Sequence, residues 1–290
     1  MDFLISLVDM YYMAHGYLCE QWGKVLSLFG NDDHLVFCAG TTLILVTSFM
    51  LVNSFFMYLD YTGKPAFMHR YKIRKDKNIP VEKSRFIRCC IVSFGNHFVT
   101  CLCVWLLYPV MKYTGMSASQ ELPHIWRVYL EYQACVIIDE IVFYYTHRLM
   151  HWPPFYKAMH KWHHEWVAPI SIAAIYNHPV EHLVSHVAPL LSGPILVGCH
   201  LSLAWYWIFN FQVQACLHHS NYHLPFFSSP QFHDYHHYKF TECFGSGVFL
   251  DRFHKTDKDY QKSIQFKRNV PFYSLSPITE LIPDSNRKKN

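Results

Sequence analysis

Charge is scarce in this chain of 290 residues: Asp, Glu, Lys and Arg make up 16% of it, against 51% hydrophobic and 18% aromatic residues. Ordinary soluble domains carry about 25% charged residues, so the shortage points away from a purely water-facing fold and toward a membrane. Residues 35–59, 89–111 and 182–233 contain no charged side chain at all. As a helix, the 25 residues of the first run span about 37 Å, enough for a hydrocarbon core of about 30 Å. The third run can enter and leave a bilayer once, as a hairpin or as two full spans, with Pro189, Gly193 and Pro194 as candidate breaks. Residues 128–146 are helical in pattern but carry Glu131, Asp139 and Glu140, acids that at such depth face a protein interior or a polar cavity.

Other absences narrow the chemistry. The ten cysteines form no C-x-x-C, and Cys38, Cys101, Cys103, Cys135 and Cys199 lie in apolar runs, as small buried hydrophobes of a reducing setting do. There is no G-x-G-x-x-G for a nicotinamide or flavin and no C-x-x-C-H for attached haem; Gly245-Ser246-Gly247 stops one glycine short and reads as a turn. The start, MDFLISLVDM, lacks a basic n-region and carries Asp2 and Asp9, so it is not read as a cleaved signal. No repeat of about 20–50 residues is present, and no nucleic-acid partner is expected.

A mean hydropathy of +0.04 is low for a chain lying wholly in lipid, and the polar clusters place the water-facing parts at 60–88, 146–166 and 218–290. The loop after the first apolar run holds nine basic residues, Lys64, Arg70, Lys72, Arg74, Lys75, Lys77, Lys83, Arg85 and Arg88. The positive-inside rule makes this loop cytosolic. Its charges read as a solvated run or as an attraction for anionic headgroups.

Against this background stand four histidine clusters: His147/His151, His160/His163/His164, His219/His223 and His233/His236/His237. Residues three and four apart share one helix face, so each cluster can aim several imidazoles at one point. With 21 histidines in 290 residues, H-x2-HH is expected by chance roughly 0.1 times, yet it occurs twice. Ten such ligands exceed the needs of one ion and fit two. No cysteine joins a cluster, unlike most structural zinc sites. An all-nitrogen cage with open positions suits a redox metal that binds dioxygen, so two iron ions in a non-haem di-iron centre are expected, with O2 as co-substrate. The same nitrogens bind zinc more tightly than ferrous iron, so zinc can occupy the site in purified protein.

Rings that ligate metal usually donate their second N–H to an outer partner. Glu140, seven residues before His147, shares its face; Asp234 and Asp251 are further candidates, each equally readable as a surface acid. His178, Glu181 and His182 of the segment Asn177–His182 are candidates for the same role or for packing.

The segments HRLMHWPPFYKAMHKWHHEWVAPI, NHPVEH, HHSNYHLPF, FHDYHHYKF and GVFLDRFHKTD resemble the fatty acid hydroxylase / sterol desaturase superfamily over about residues 140–260. The boxes are most similar to the 4-methylsterol monooxygenase branch and its fatty acid hydroxylase domain-containing proteins, with His223 where the 4-methylsterol oxidases carry Asp. The resemblance implies that His147, His151, His160, His163, His164, His219, His223, His233, His236 and His237 are metal ligands. It also implies an endoplasmic-reticulum membrane location and electrons from an NAD(P)H reductase through a cytochrome b5-type carrier. The fold expected is all-α and polytopic, with about four transmembrane helices and a cytosolic, histidine-rich di-metal cap. Residues 1–127 form a membrane-anchoring region with the basic loop, 128–262 the catalytic domain and 263–290 a tail, whose Arg287-Lys288-Lys289-Asn290 resembles a dibasic retrieval signal.

The expected reaction is hydroxylation of an unactivated lipid C–H, the second oxygen atom leaving as water. A 4-methylated sterol is the first substrate class and a fatty acyl chain or sphingolipid the second, with desaturation open. Leu203–Phe209 is a candidate pocket wall or a lipid-facing helix. The rival from another class is a zinc-binding or non-catalytic membrane protein.

Overall fold

The computed structural model describes residues 2–284. Among them there is no β-strand, and the chain is built of helices. Helix α1 covers Asp2–Leu28, α2 Asp33–Thr62, α3 Lys83–Tyr113, α4 Ile125–Met150, α5 Pro179–Val197, α6 Leu201–His219, α7 Gln231–Lys239 and α8 Phe249–His254. Three of these, α2, α3 and α5, are long and apolar enough to cross a membrane, against the four spans expected. Leu51, Phe98 and Leu106 point outward from α2 and α3, as residues facing lipid rather than water do. The Arg287–Asn290 motif lies outside the described residues.

The long uncharged run does form a hairpin, but its expected breaks do not break it. Pro189 and Pro194 both lie within α5, and a widened π turn at Leu183–Val187 ends two residues before Pro189, whose ring cannot donate to the helix ladder. The reversal comes at Gly198, whose φ of +64° is left-handed and whose added Cβ would sit 2.4 Å from the Thr114 carbonyl oxygen. Gly193 serves close packing: a Cβ there would lie 3.0 Å from the Cys135 backbone, so α4 and α5 meet backbone to backbone. We expect Gly193→Val to destabilise the protein by about 1–3 kcal/mol through overpacking, read as a lower midpoint of thermal unfolding in detergent.

One core cluster draws on α1 (Trp22, Leu26), α2 (Leu45), α3 (Val104, Met111), α4 (Cys135), α5 (Leu190, Leu191) and α6 (Leu203, Trp207). A second seats the turn Ser171–Ile175 between α3 and α6. Asp139 and Glu140 turn inward from α4 and are buried. The basic loop is partly structural. The Lys72 ammonium is buried, donating to the carbonyls of Lys77 (2.9 Å) and Asn78 (2.6 Å), and Arg74 reaches Asp234 at 3.0 Å.

Candidate metal centre

Four segments deliver histidines to one place. His147 sits in the last turn of α4 and His151 just beyond it; His219 ends α6; α7 carries His233, His236 and His237. His160, His163 and His164 come from a chain reversal made of a π turn, Tyr156–His160, and a 3-10 turn, His163–Glu165, rather than from a regular helix. The nitrogens fall into two groups, each with its atoms within 4.8 Å of one another. The first holds His147, His151, His160, His164 and His236; the second holds His163, His219, His233 and His237. Each H-x2-HH box is split: the pair four apart serves one group and the remaining ring crosses to the other.

The spacing within the groups fits metal. In the first, Nε2 atoms stand 2.8 Å (His151 and His160), 3.0 Å (His160 and His164) and 3.1 Å (His151 and His236) apart. In the second they stand 2.8 Å (His219 and His233), 3.0 Å (His233 and His237) and 3.3 Å (His163 and His219) apart. A divalent ion with nitrogens about 2.0–2.1 Å away holds neighbouring nitrogens roughly 3.0–3.4 Å apart. Five rings commit Nδ1–H to an acceptor: His147 to Phe244 O (2.7 Å), His160 to Glu181 Oε1 (2.5 Å), His163 to Tyr176 O (3.3 Å), His219 to Ala215 O (2.7 Å) and His236 to Glu242 O (2.8 Å). Their Nε2 atoms therefore carry lone pairs, and lone pairs about 3 Å apart repel unless a cation lies among them. Burial, and then the neighbouring rings, push the imidazoles of His160, His164, His233, His236 and His237 well below their ordinary range, which keeps them neutral, the form that ligates. The nitrogen-only donor set fits a pair of iron ions, and zinc equally.

His223, expected as a tenth ligand, stands outside both groups. Its Nε2 donates to Val270 O at 3.2 Å and its Nδ1 faces the Gln231 amide at 3.4 Å. The cause is local pairing: Ile73 N bonds Asn221 O and His223 N bonds Tyr71 O, which pins residues 221–223 against the basic loop. We expect His223→Gln to keep full metal content, measured by elemental analysis of the purified protein, with a stability loss of about 1 kcal/mol.

The candidate outer partners divide. Glu181 is one, through His160. Glu140 does not touch His147; it accepts from Gly247 N (2.6 Å), Leu250 N (3.1 Å) and Ser246 Oγ (2.9 Å), because its carboxylate is closest to the 245–250 loop. Asp251 acts one step further out, accepting from Phe244 N (3.0 Å) and Gly245 N (2.7 Å) and so fixing the carbonyl that receives His147. Burial raises its pKa to about 6. Asp234 binds Arg74 and Asn221, His178 accepts from Val180 N at the start of α5, and His182 meets Thr100 Oγ1 at 2.7 Å, so none of the three reaches a ligand ring. The carbonyls of Phe244, Tyr176, Ala215 and Glu242 fill the role instead, and no side-chain pattern announces a carbonyl.

A cavity of about 920 Å3 runs from His147, His160, His163, His219 and His233 between α4, α5 and α6. Its walls include Val136, Ile137, Ile141, Phe143, Trp207 and Phe211. Of the expected aromatic wall Leu203–Phe209 only Trp207 faces it, since Leu203, Ala204 and Ile208 are spent on the core. That volume lies within the range of about 300–1,000 Å3 usual for small-molecule sites.

Residues 132–256 match the family described as Fatty acid hydroxylase. The chain is 38% identical, over 97% of its length and 85% of the relative's, to fatty acid hydroxylase domain-containing protein 2 of Macaca fascicularis. It is 32% identical, over 82% and 92%, to methylsterol monooxygenase 2-2 of Arabidopsis thaliana. It is 31% identical, over 76% and 88%, to very-long-chain aldehyde decarbonylase GL1-11 of Oryza sativa subsp. indica. No solved structure matches.

Proposed function

The chain belongs to the fatty acid hydroxylase family, and on that premise we propose that it is a membrane-bound di-iron monooxygenase of lipids, with a 4-methylated sterol as substrate ahead of a fatty acyl chain. His147, His151, His160, His164 and His236 would hold one ion and His163, His219, His233 and His237 the other. Iron bound there supplies dioxygen activation, chemistry beyond the reach of protein side chains. The protein's own part is to position and to exclude water. Phe244, Tyr176, Ala215, Glu242 and Glu181 hold the Nδ1 protons in place, which fixes each ring's orientation. The apolar walls keep the reacting carbon dry and pointed at the ring-lined end.

Because the chain holds no nicotinamide, flavin or haem motif, we assign its electrons to a cytochrome b5-type carrier and reductase at the cytosolic face of the endoplasmic reticulum. The observation that carries this reading is the pair of lone-pair nests at the end of a lipid-sized apolar cavity. The sterol preference draws on the similarity to a methylsterol monooxygenase. Lipid profiles of cells lacking the protein test it. A 4-methylated sterol should accumulate and be cleared by the wild type but not by His163→Ala; a change confined to hydroxylated acyl lipids would transfer the activity to the second class.

A further inference from the structure

Three buried polar atoms on the cavity wall have no partner among the described residues: Glu181 Oε2, Ser185 Oγ and Asp139 Oδ1. Their residues are 1%, 8% and 7% exposed. A carboxylate oxygen or hydroxyl left unpaired in an apolar wall is a standing cost, and a ligand that pairs with it removes that cost. Glu181 and Ser185 are four residues apart on α5, so their Cβ atoms lie about 5–6 Å from each other on one face. Because the other Glu181 oxygen accepts from His160 Nδ1 at 2.5 Å, this pair sits beside the first histidine group. Asp139 precedes His147 by two helical turns of α4, about 12 Å along its axis, and is remote from both groups.

We propose that Glu181 and Ser185 form a receptor for a lipid hydroxyl, which donates to Glu181 Oε2 and accepts from Ser185 Oγ–H. The inference rests on the monooxygenase reading and specifies its substrate: an uncharged lipid alcohol whose hydroxyl is held beside the first histidine group. A 3-hydroxy-4-methylsterol meets that description. An ionised fatty acid does not, because its carboxylate has no hydrogen to donate to Glu181 Oε2.

Displacement of a fluorescent sterol from the full chain in phosphatidylcholine nanodiscs measures binding without turnover. The wild type should prefer a 4-methylsterol over its 3-deoxy analogue by about tenfold, the worth of one or two good hydrogen bonds. Ser185→Ala should cut that preference to about threefold, the bond to Glu181 remaining, and leave the affinity for the 3-deoxy sterol and the metal content unchanged. Ser185→Thr, which keeps a hydroxyl and reports on folding, should retain it. An undiminished preference in Ser185→Ala, or its loss in Asp139→Asn instead, overturns the proposal. If no sterol is bound at all, the receptor and the sterol class both fall, while dioxygen-dependent oxidation of another lipid would leave the monooxygenase reading standing.

Discussion

His163→Ala and His236→Ala should each reduce product formation by at least about a hundredfold, more than the 10–100-fold that loss of an outer partner costs. These two rings are the crossing members of their boxes: His163 leaves His160 and His164 to join the second group, and His236 leaves His233 and His237 to join the first. Each substitution therefore damages a different group, and both are needed if two metals act together. Each also leaves a carbonyl, Tyr176 O or Glu242 O, without its donor. The check is product by mass spectrometry with bound metal by elemental analysis. His124→Ala is the control, because His124 accepts only from Trp126 N at the start of α4, exposed and apart from both groups. Equal losses in all three variants would show that the histidines act on folding alone.

Asp251→Ala is expected to cost about 3–5 kcal/mol in stability and to weaken metal binding as well. Its carboxylate is wholly buried and takes the N–H groups of Phe244 and Gly245 together with the Thr256 hydroxyl. Removing it strands two buried backbone donors at the segment whose carbonyl orients His147. Asp251→Asn keeps one acceptor and should recover part of the loss. Thermal unfolding in detergent, followed with and without added metal, separates the two effects: a purely structural role leaves the metal-induced shift at its wild-type size, whereas a role in orienting His147 shrinks it.

The histidine boxes were legible because ring spacing is a property of the chain itself. Spacings of three and four bring rings to a common side whether the backbone is the regular α7 or the π and 3-10 turns around His160 and His163. Which group each ring serves was not legible, since that depends on how α4, α6 and α7 approach one another. His223 shows the limit most clearly. Its H-x3-H spacing from His219 presumes that the helix continues, but α6 stops at His219 and pairing with Tyr71 takes the chain elsewhere.

The acids divide in the same way. Glu181 reaches His160 because the segment Asn177–His182 folds back over that ring, whereas Glu140, correctly placed on the His147 face, spends its oxygens on the 246–250 loop. The apolar runs marked the membrane helices because their signal is composition over some twenty residues. The breaks inside them were misplaced because Pro189 follows a widened turn, and the Leu190 carbonyl that Pro194 leaves without its helical donor accepts from Trp207 Nε1 at 2.8 Å, neither of which composition reveals.

The most direct test of the paired centre is the count of transition-metal ions, iron and zinc together, per chain in protein purified from cells grown in iron-supplemented medium. Two ions per chain are expected, falling toward one in His237→Ala, which takes a ligand from the four-ring group and leaves all five of the other. A wild-type count of one or none, or a count that His237→Ala does not lower, would contradict a two-metal site.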